Sequence, residues 1–507
     1  MIVKVLSSAL SGINAYTVDV EVDINLGLPA MAVVGLPDTA VQESKERVKT
    51  AIKNSGFNFP AKKIVINLAP ADTRKEGPSF DLPIAIGVLG ASEQLEIEKL
   101  KDFMIIGELS LDGTVRAVNG TLCYAINAKE NNIKNMIVPF DNASEASVVN
   151  GLKIYPVKNL REAYDVIMNT SNFTPIERSI EMFDNEDKEH YLDFSDIKGQ
   201  ESTKRAIEIA AAGNHNILLV GPPGSGKTMI ARRIPSILPP LTFEESLETT
   251  KIYSISGLSN KGLIKIRPFR SPHHSISHAG LVGGTSNPKP GEISLAHNGV
   301  LFLDELLEFK RDVIEVLRQP LEDRMITISR ALTSITYPAN FMLITALNPC
   351  PCGHRGDTLK ECVCSPNQIE RYWNKLSGPL LDRIDLHLEV PRLSNDELLN
   401  NKPTESSKNI RERVVKARKI QQERYKSSKI FSNSEMQPKD LRKYCKLDEI
   451  STQLLKKAIS QLGLSARAYD RILKVARTIA DLGSSENIKP QHIAEAIQYR
   501  SLDRARL

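Results

Sequence analysis

The sequence predicts an α/β protein in three parts: an α+β domain over 1–170, an α/β core over 193–392 and a helical domain over 393–507. Three observations carry that reading. The apolar run Ile217-Leu218-Leu219-Val220 passes directly into a glycine-rich turn and then into a helix-like stretch from Met229, a strand–turn–helix signature. Ahead of it, short β-rich runs alternate with helical segments. Behind it, over Pro438–Tyr499, the pattern is helical with few β-branched runs.

In the first part the strand-like runs are Val18–Ile24, Ala32–Val34, Lys63–Asn67, Met104–Ile106 and Met136–Val138, and the helical segments are Ala40–Ser55, Leu82–Ala91 and Leu122–Glu130. Residues 171–192 contain Glu181–Glu189, charged and without apolar period, and read as a linker. Residues 396–434 form a polar connector with a helix around Ile410–Arg424.

At 507 residues the chain has room for three or four domains of ~100–200 residues each. A formal charge of +5 permits contact with nucleic acid without arguing for it. No apolar run approaches a membrane span and the N-terminus lacks a signal-peptide pattern, so a cytoplasmic protein with no membrane partner is expected. Four of the six cysteines fall within 350–364, which in a reducing compartment points to metal rather than disulfide.

Gly221, Pro222, Pro223, Gly224, Ser225, Gly226, Lys227 and Thr228 spell GxxxxGK[ST]. Such a loop turns its N–H groups toward phosphate oxygens, the lysine neutralises β/γ charge and the hydroxyl holds Mg²⁺. The run Gly299–Leu303 ends in Asp304 and Glu305, a strand delivering two carboxylates. Asp304 is expected to act through the Mg²⁺ shell and Glu305 to activate water. A third apolar strand, Phe341–Leu347, ends at Asn348, whose amide can orient that water. ATP and Mg²⁺ are thus the expected cofactors of an ATP hydrolase.

These parts, with the helical C-terminal region as a lid, resemble the AAA+ ATPases. The detailed wording resembles the magnesium-chelatase-like ComM/YifB family. Its marks here are Ile197-Lys198-Gly199-Gln200, the stretch Arg267–Ser275 (RPFRSPHHS) and Leu376–Asp385 (LSGPLLDRID). The resemblance implies that Arg383 is a finger reaching the γ-phosphate of a neighbouring subunit in a homo-hexamer. It also implies that Arg467 is the lid arginine that senses nucleotide, with Arg471 one turn on as a second candidate. A cation facing developing phosphate charge is worth ~10³–10⁵ in rate. The alternating segment Ile326–Tyr337 resembles the hairpin that related ATPases push into the ring pore, where Arg330 would touch a phosphate backbone. His273, His274 and His278 suggest a family-specific loop rather than a metal site, because a third convergent ligand is not evident.

Cys350, Cys352, Cys362 and Cys364 form C-x-C-x9-C-x-C, a departure from the C-x₂-C spacing of common zinc ribbons. Four thiolates on a polar loop can still enclose a tetrahedral structural Zn²⁺; a Cys₃His set using His354, free thiols and a redox pair are the alternatives.

The N-terminal Lys75-Glu76-Gly77-Pro78-Ser79 resembles the nucleophile loop of Lon-type proteases, and Met104–Asn119 the strands that follow, implying a Lon-protease-like (ribosomal-S5-like) domain. The position of the lysine base falls at Leu122, and Lys129 lies two turns further on. A serine without a positioned base is a weak nucleophile, which argues against proteolysis. The resemblance therefore implies a hexameric ATP-dependent DNA motor, similar to ComM branch-migration helicases that act on recombination joints in natural transformation. Single-stranded or branched DNA is its expected partner. A chelatase-type motor or a protein-remodelling ATPase without DNA is the alternative.

Overall fold

The computed structural model describes residues 2–177, 192–258, 262–284, 289–329, 334–357, 359–394, 397, 404–426, 428 and 430–500. Most of the expected linker, and Arg330 at the hairpin turn, lie outside the described residues. The chain forms two compact units, one from Met1–Asp187 with Thr242–Lys265, the other from Lys188–Leu241 with Ile266–Leu507.

The first unit is built on a seven-stranded sheet. Its strands are β1 (Val3–Ser11), β2 (Asn14–Asn25), β3 (Ala30–Val34), β4 (Lys63–Ala69), β5 (Phe103–Ile105), β8 (Asn135–Pro139) and β9 (Lys153–Val157), in the order β3-β4-β2-β1-β5-β8-β9. A two-residue ribbon, β6 (Glu108–Leu109) with β7 (Val115–Arg116), stands apart. The five strand-like runs read from sequence fall within or against β2, β3, β4, β5 and β8. Two strands have a weak sequence signal. β1 is interrupted by Ser7 and Ser8, yet both are fully buried at the centre of the sheet. β9 contains Pro156, which the ladder tolerates because β9 is an edge strand. The helix Asp81–Ala91 is buried along almost its whole length, which explains a composition apolar on every side.

Residues Thr242–Lys265 lie in the sequence range of the nucleotide-type core but group with the first unit. Their helix, Phe243–Ile255, starts in a Thr242/Glu245 capping box and packs against the helix Thr121–Glu130. There the Gly120 N–H donates to Ser254 O at 3.1 Å. In the second unit Arg267 ties the two ends of this excursion, donating to the carbonyls of Pro239 (2.6 Å), Pro240 (3.3 Å) and Asn298 (2.7 Å).

The second unit holds a five-stranded parallel sheet of β10 (Ile217–Val220), β11 (Phe269–Arg270), β12 (Val300–Leu303), β15 (Met342–Leu347) and β16 (Leu386–Glu389), ordered β11-β12-β15-β10-β16. β10, β12 and β15 are buried at every residue, so they read as unbroken apolar runs. The hairpin β13 (Met325–Ser329) with β14 (Ser334–Pro338) is a separate ribbon. Helices Ser407–Arg424, Glu449–Leu462, Ala466–Leu482 and Pro490–Gln498 follow, and their apolar faces join the core that includes β10, β12 and β15.

A buried polar knot joins this helical region to the sheet. Asp385, 1% exposed, accepts from Arg471 Nη1 (2.9 Å) and from the Asn216 N–H (2.9 Å), and lies 3.5 Å from His215 Nδ1. His215 Nε2 in turn meets Thr478 Oγ1 at 2.8 Å. Burial works to raise the Asp385 carboxyl, but Arg471, His215 and the Asn216 N–H outweigh it and hold the group well below the usual carboxylate range. Asp385→Ala leaves Arg471 and a backbone N–H without their acceptor, and a loss of ~3–5 kcal/mol in chemical unfolding is expected. Because the folded pKa is depressed, this contribution is present above an unfolded value of about 3.9 and is lost as the pH falls below it. The wild-type minus mutant stability difference should shrink on acidification; a constant difference would contradict the assignment.

Candidate active site

Parallel register brings three strand ends to one edge of the second sheet. Val220 is level with Leu347, and Leu303 with Thr345. Beyond those ends come the 221–226 loop, the pair Asp304–Glu305, and Asn348.

The loop opens into the helix Lys227–Arg233 through Gly226, whose φ of 89° is a left-handed conformation that side chains disfavour. Lys227 is buried, and its Nζ donates to Gly221 O (2.7 Å) and Pro222 O (3.0 Å) and lies 3.4 Å from Asn348 Oδ1. Burial lowers its pKa, with Asp304 and Glu305 acting in the opposite direction. Thr228 Oγ1 donates to Asp304 Oδ2 at 2.6 Å. Hydroxyl and carboxylate oxygens thus meet as a hard donor pair of the kind Mg²⁺ takes, so the residues fit the cation.

Glu305 is exposed and sits at φ 52°, a left-handed conformation that costs a non-glycine residue ~1–2 kcal/mol. Its N–H donates to Asp304 Oδ1 at 3.0 Å, which turns the two carboxylates to different tasks. His274 Nδ1 stands 3.8 Å from Glu305 Oε2, and its ring lies 4.0 Å from that of His273. Among the described residues these histidines form no metal-ligand group. The arginines of the same stretch are structural: besides Arg267, Arg270 makes a two-pronged pair with Glu292, both contacts at 2.6 Å.

Several residues without an obvious chemical role in the sequence support the loop. Gln200 Nε2 donates to Ser225 O (2.9 Å) and Pro391 O (3.2 Å). Arg392 Nη2 joins Pro223 O to Asp357 Oδ2, 3.1 Å from each. A Cβ on Gly353 would stand 2.8 Å from Pro223 Cδ, so the cysteine loop lies directly against the phosphate loop.

In that loop Cys350 Sγ is 3.3 Å from Cys352 Sγ and 3.6 Å from Cys362 Sγ, and Cys352 to Cys362 is 3.7 Å. All four sulfurs, with Cys364, lie within 4.8 Å of one another. Disulfide sulfurs sit ~2.05 Å apart, whereas a tetrahedral zinc with ~2.3 Å bonds separates them by about 3.8 Å. The spacing fits zinc. His354 instead pairs with Asp357 at 3.0 Å and is outside the four-sulfur group. Backbone N–H groups, that of His354 foremost, lower the Cys352 thiol, while Cys350 and Cys352 push Cys362 and Cys364 up, as neighbouring thiols do when they compete for one small space. Trp373 Nε1 fastens the loop's start, donating to Pro349 O at 3.1 Å.

Arg383 is 7% exposed; its Nη2 lies 2.5 Å from Glu322 Oε1 and its Nη1 donates to Pro379 O at 2.5 Å. Arg467 is exposed, 4.0 Å from Asp382. Both therefore meet acidic residues of the 322 and 382 region rather than the phosphate-loop side chains. Arg471, anchored on Asp385, belongs to the polar knot.

In the first unit Ser79 is buried and paired with the Tyr124 hydroxyl, while Leu122 is fully buried and Lys129 exposed. The buried Lys75 donates to Thr73 O (2.8 Å) and Thr73 Oγ1 (3.3 Å). Burial raises the Tyr124 pKa, so Ser79 faces a phenol that cannot serve as a base near neutrality.

Comparison with known proteins follows the same lines. Residues 193–398 match the family described as magnesium chelatase, subunit ChlI; residues 20–142 match subunit ChlI of Mg-chelatase, and 404–500 its C-terminal region. Competence protein ComM of Haemophilus influenzae is 47% identical over 504 residues, covering 99% of this chain and 97% of that protein. YifB of Escherichia coli is 46% identical over 505 residues, covering 98% and 96%. Lon protease 2 of Bacillus subtilis is similar over a shorter stretch, 31% identical across 126 residues, or 25% of this chain and 22% of that protein. The fold is that of an AAA+ core with a helical lid and a Lon-like N-terminal domain. Among the described residues no helix is long and apolar enough to cross a membrane.

The packing of Gly353 on Pro223 makes the metal site testable through nucleotide. Elemental analysis of the purified protein should give about one zinc per chain, four thiolates filling one tetrahedral ion. Cys362→Ser should lose the zinc and weaken ATP binding at the adjacent loop. Purified wild-type protein without zinc would contradict the metal site, and a zinc-free Cys362→Ser protein with unaltered ATP affinity would contradict its support of the phosphate loop.

Proposed function

The chain belongs to the ComM/YifB branch of the magnesium-chelatase ChlI family, and from that membership we propose that it is a ring-forming ATP-driven motor acting on DNA. The family implies ATP as substrate and Mg²⁺ as cofactor. Lys227 and the loop N–H groups hold the phosphates. Thr228 and Asp304 would hold Mg²⁺, which when bound neutralises phosphate charge. Glu305, exposed and free of the Thr228 contact, accepts a proton from the attacking water, and Asn348 orients it.

The observation that supports the ring is where the arginines lie among the described residues: Arg392 stands at the phosphate loop but is held by Asp357. Lys227, Thr228, Asp304, Glu305 and Asn348 converge, but Arg383 and Arg467 meet Glu322 and Asp382 instead. A cation for the charge developing on the γ-phosphate then comes from a neighbouring copy, and a closed ring, a hexamer as in the family, supplies one to every site.

DNA is favoured over the other substrates by the hairpin. Met325, Thr327 and Ser329 are exposed on one face of β13, while Ile326 and Ile328 turn inward. Thr327 faces Thr336 at 2.9 Å and Ser329 faces Ser334 at 3.2 Å, a ladder of exposed hydroxyls, and Arg330 follows Ser329 in the sequence. Hydroxyls and an arginine are groups that contact a phosphate backbone without reading sequence. The relative named for competence in Haemophilus influenzae agrees with DNA as the substrate class. A role in recombination joints during natural transformation is the specific form of this proposal.

Steady-state ATP hydrolysis with and without single-stranded DNA tests the reading. DNA should stimulate turnover, and Glu305→Gln should lower it by ~10²–10⁴ whether DNA is present or absent. Hydrolysis indifferent to DNA would favour the chelatase-type or protein-remodelling motor instead. Arg330→Ala should weaken DNA binding at all sequences and reduce the salt slope by about one charge. An unchanged slope would remove Arg330 from the contact.

A further inference from the structure

Arg383 already has an anion. Its side chain is 8% exposed, while that of Glu322, whose carboxylate it meets at 2.5 Å, is 52% exposed. The acid therefore stands at the surface end of the pair, where an incoming phosphate would have to stand. Glu322 lies on the helix Arg318–Asp323, whose Arg318 Nη2 also donates to Ser377 Oγ at 3.0 Å. The four-residue spacing puts both contacts on one face of that helix, directed at the 377–383 segment. The same helix runs into β13 at Met325, and Arg324 between them pairs with Glu435 at 2.5 Å.

We propose that Glu322 is a positioning residue that holds Arg383 in place until the terminal phosphate of a nucleoside triphosphate on a neighbouring copy displaces it. This rests on the reading that Arg383 serves a neighbouring copy. A carboxylate carries one negative charge and a terminal phosphate more than one, so triphosphate outcompetes Glu322 where diphosphate, which ends a phosphate earlier, does not. Release of Glu322 removes one of the ties on the helix that leads into the hairpin and leaves the Arg318–Ser377 contact. The exchange thus links the neighbour's nucleotide state to the stem of the DNA-contacting ribbon. Arg383 draws the Glu322 pKa down, and Arg467 and Arg471 add to the effect, so the carboxylate is ionised and able to compete near neutrality.

Glu322→Gln keeps the shape of the side chain and removes the competing charge. A pair with one partner at the surface is worth ~0.2–1 kcal/mol, so kcat/KM for ATP without DNA should rise about 1.4- to fivefold, and stimulation by DNA should fall in proportion. Glu322→Asp, which retains the charge, should stay near wild type. A residue that only supports the fold would lower kcat/KM or thermal stability and could not raise turnover. Unchanged or reduced kcat/KM in a folded Glu322→Gln protein overturns the proposal. Arg383→Ala, measured alongside, separates the two levels. Full hydrolysis in that variant defeats the finger reading itself, and with it the proposal; lost hydrolysis with an unresponsive Glu322→Gln defeats only the displacement.

Discussion

Everything in the catalytic unit depends on the parallel register of three buried strands. β12, β15 and β10 are adjacent and level, so their C-terminal ends deliver Asp304 and Glu305, Asn348, and the phosphate loop to one edge. The 2.6 Å contact between Thr228 and Asp304 exists only because those strands are in step. A slip of one residue would exchange the two faces of a strand, move its end by ~3.3 Å and separate the two oxygens. Ligand sites of open α/β sheets lie beyond the carboxyl ends of the strands for the same geometric reason.

Around that edge the chain has placed rigid supports. The cysteine loop begins two residues after Asn348, and its Gly353 abuts Pro223, so a metal that orders this loop also backs the phosphate loop. Gln200 and Arg392 bind carbonyls of the phosphate loop from other parts of the chain. Both contacts take the loop's carbonyls rather than its N–H groups, the donors that a phosphate would need. The Asp385 knot plays a comparable part at the opposite end of β10, where His215 and Asn216 precede the strand.

What the sequence revealed divides along the range of the interaction. The phosphate loop, the Asp304–Glu305 pair and Asn348 are legible because each is a short local pattern with its own strand, and the four cysteines because their spacing is compact. Glu322, Arg392 and Asp357 carry no such pattern, and Gln200 stands in a family mark that does not say what it binds. They act on partners tens or hundreds of positions away, and a polar residue at a helix end or in a loop looks the same whether it has such a partner or not. The seven-stranded sheet was partly legible for a related reason. β1 is central but contains two buried serines, so its alternation is masked, and β9 contains a proline that only an edge position accommodates. The grouping of Thr242–Lys265 with the first unit could not be read at all, since a capping box announces a helix but not the surface it packs on.

We propose above all that each catalytic site is completed by an arginine from another copy of the chain. Hydrolysis by mixtures of Lys227→Ala and Arg383→Ala chains tests it most directly. Each variant alone should be inactive, one lacking the phosphate lysine and the other the arginine. Mixed, they form interfaces in which an intact loop from one chain meets an intact arginine from the other, and activity should reappear at those interfaces. Mixtures as inactive as their components, while still assembling together, would contradict the account and place the missing cation within the same chain.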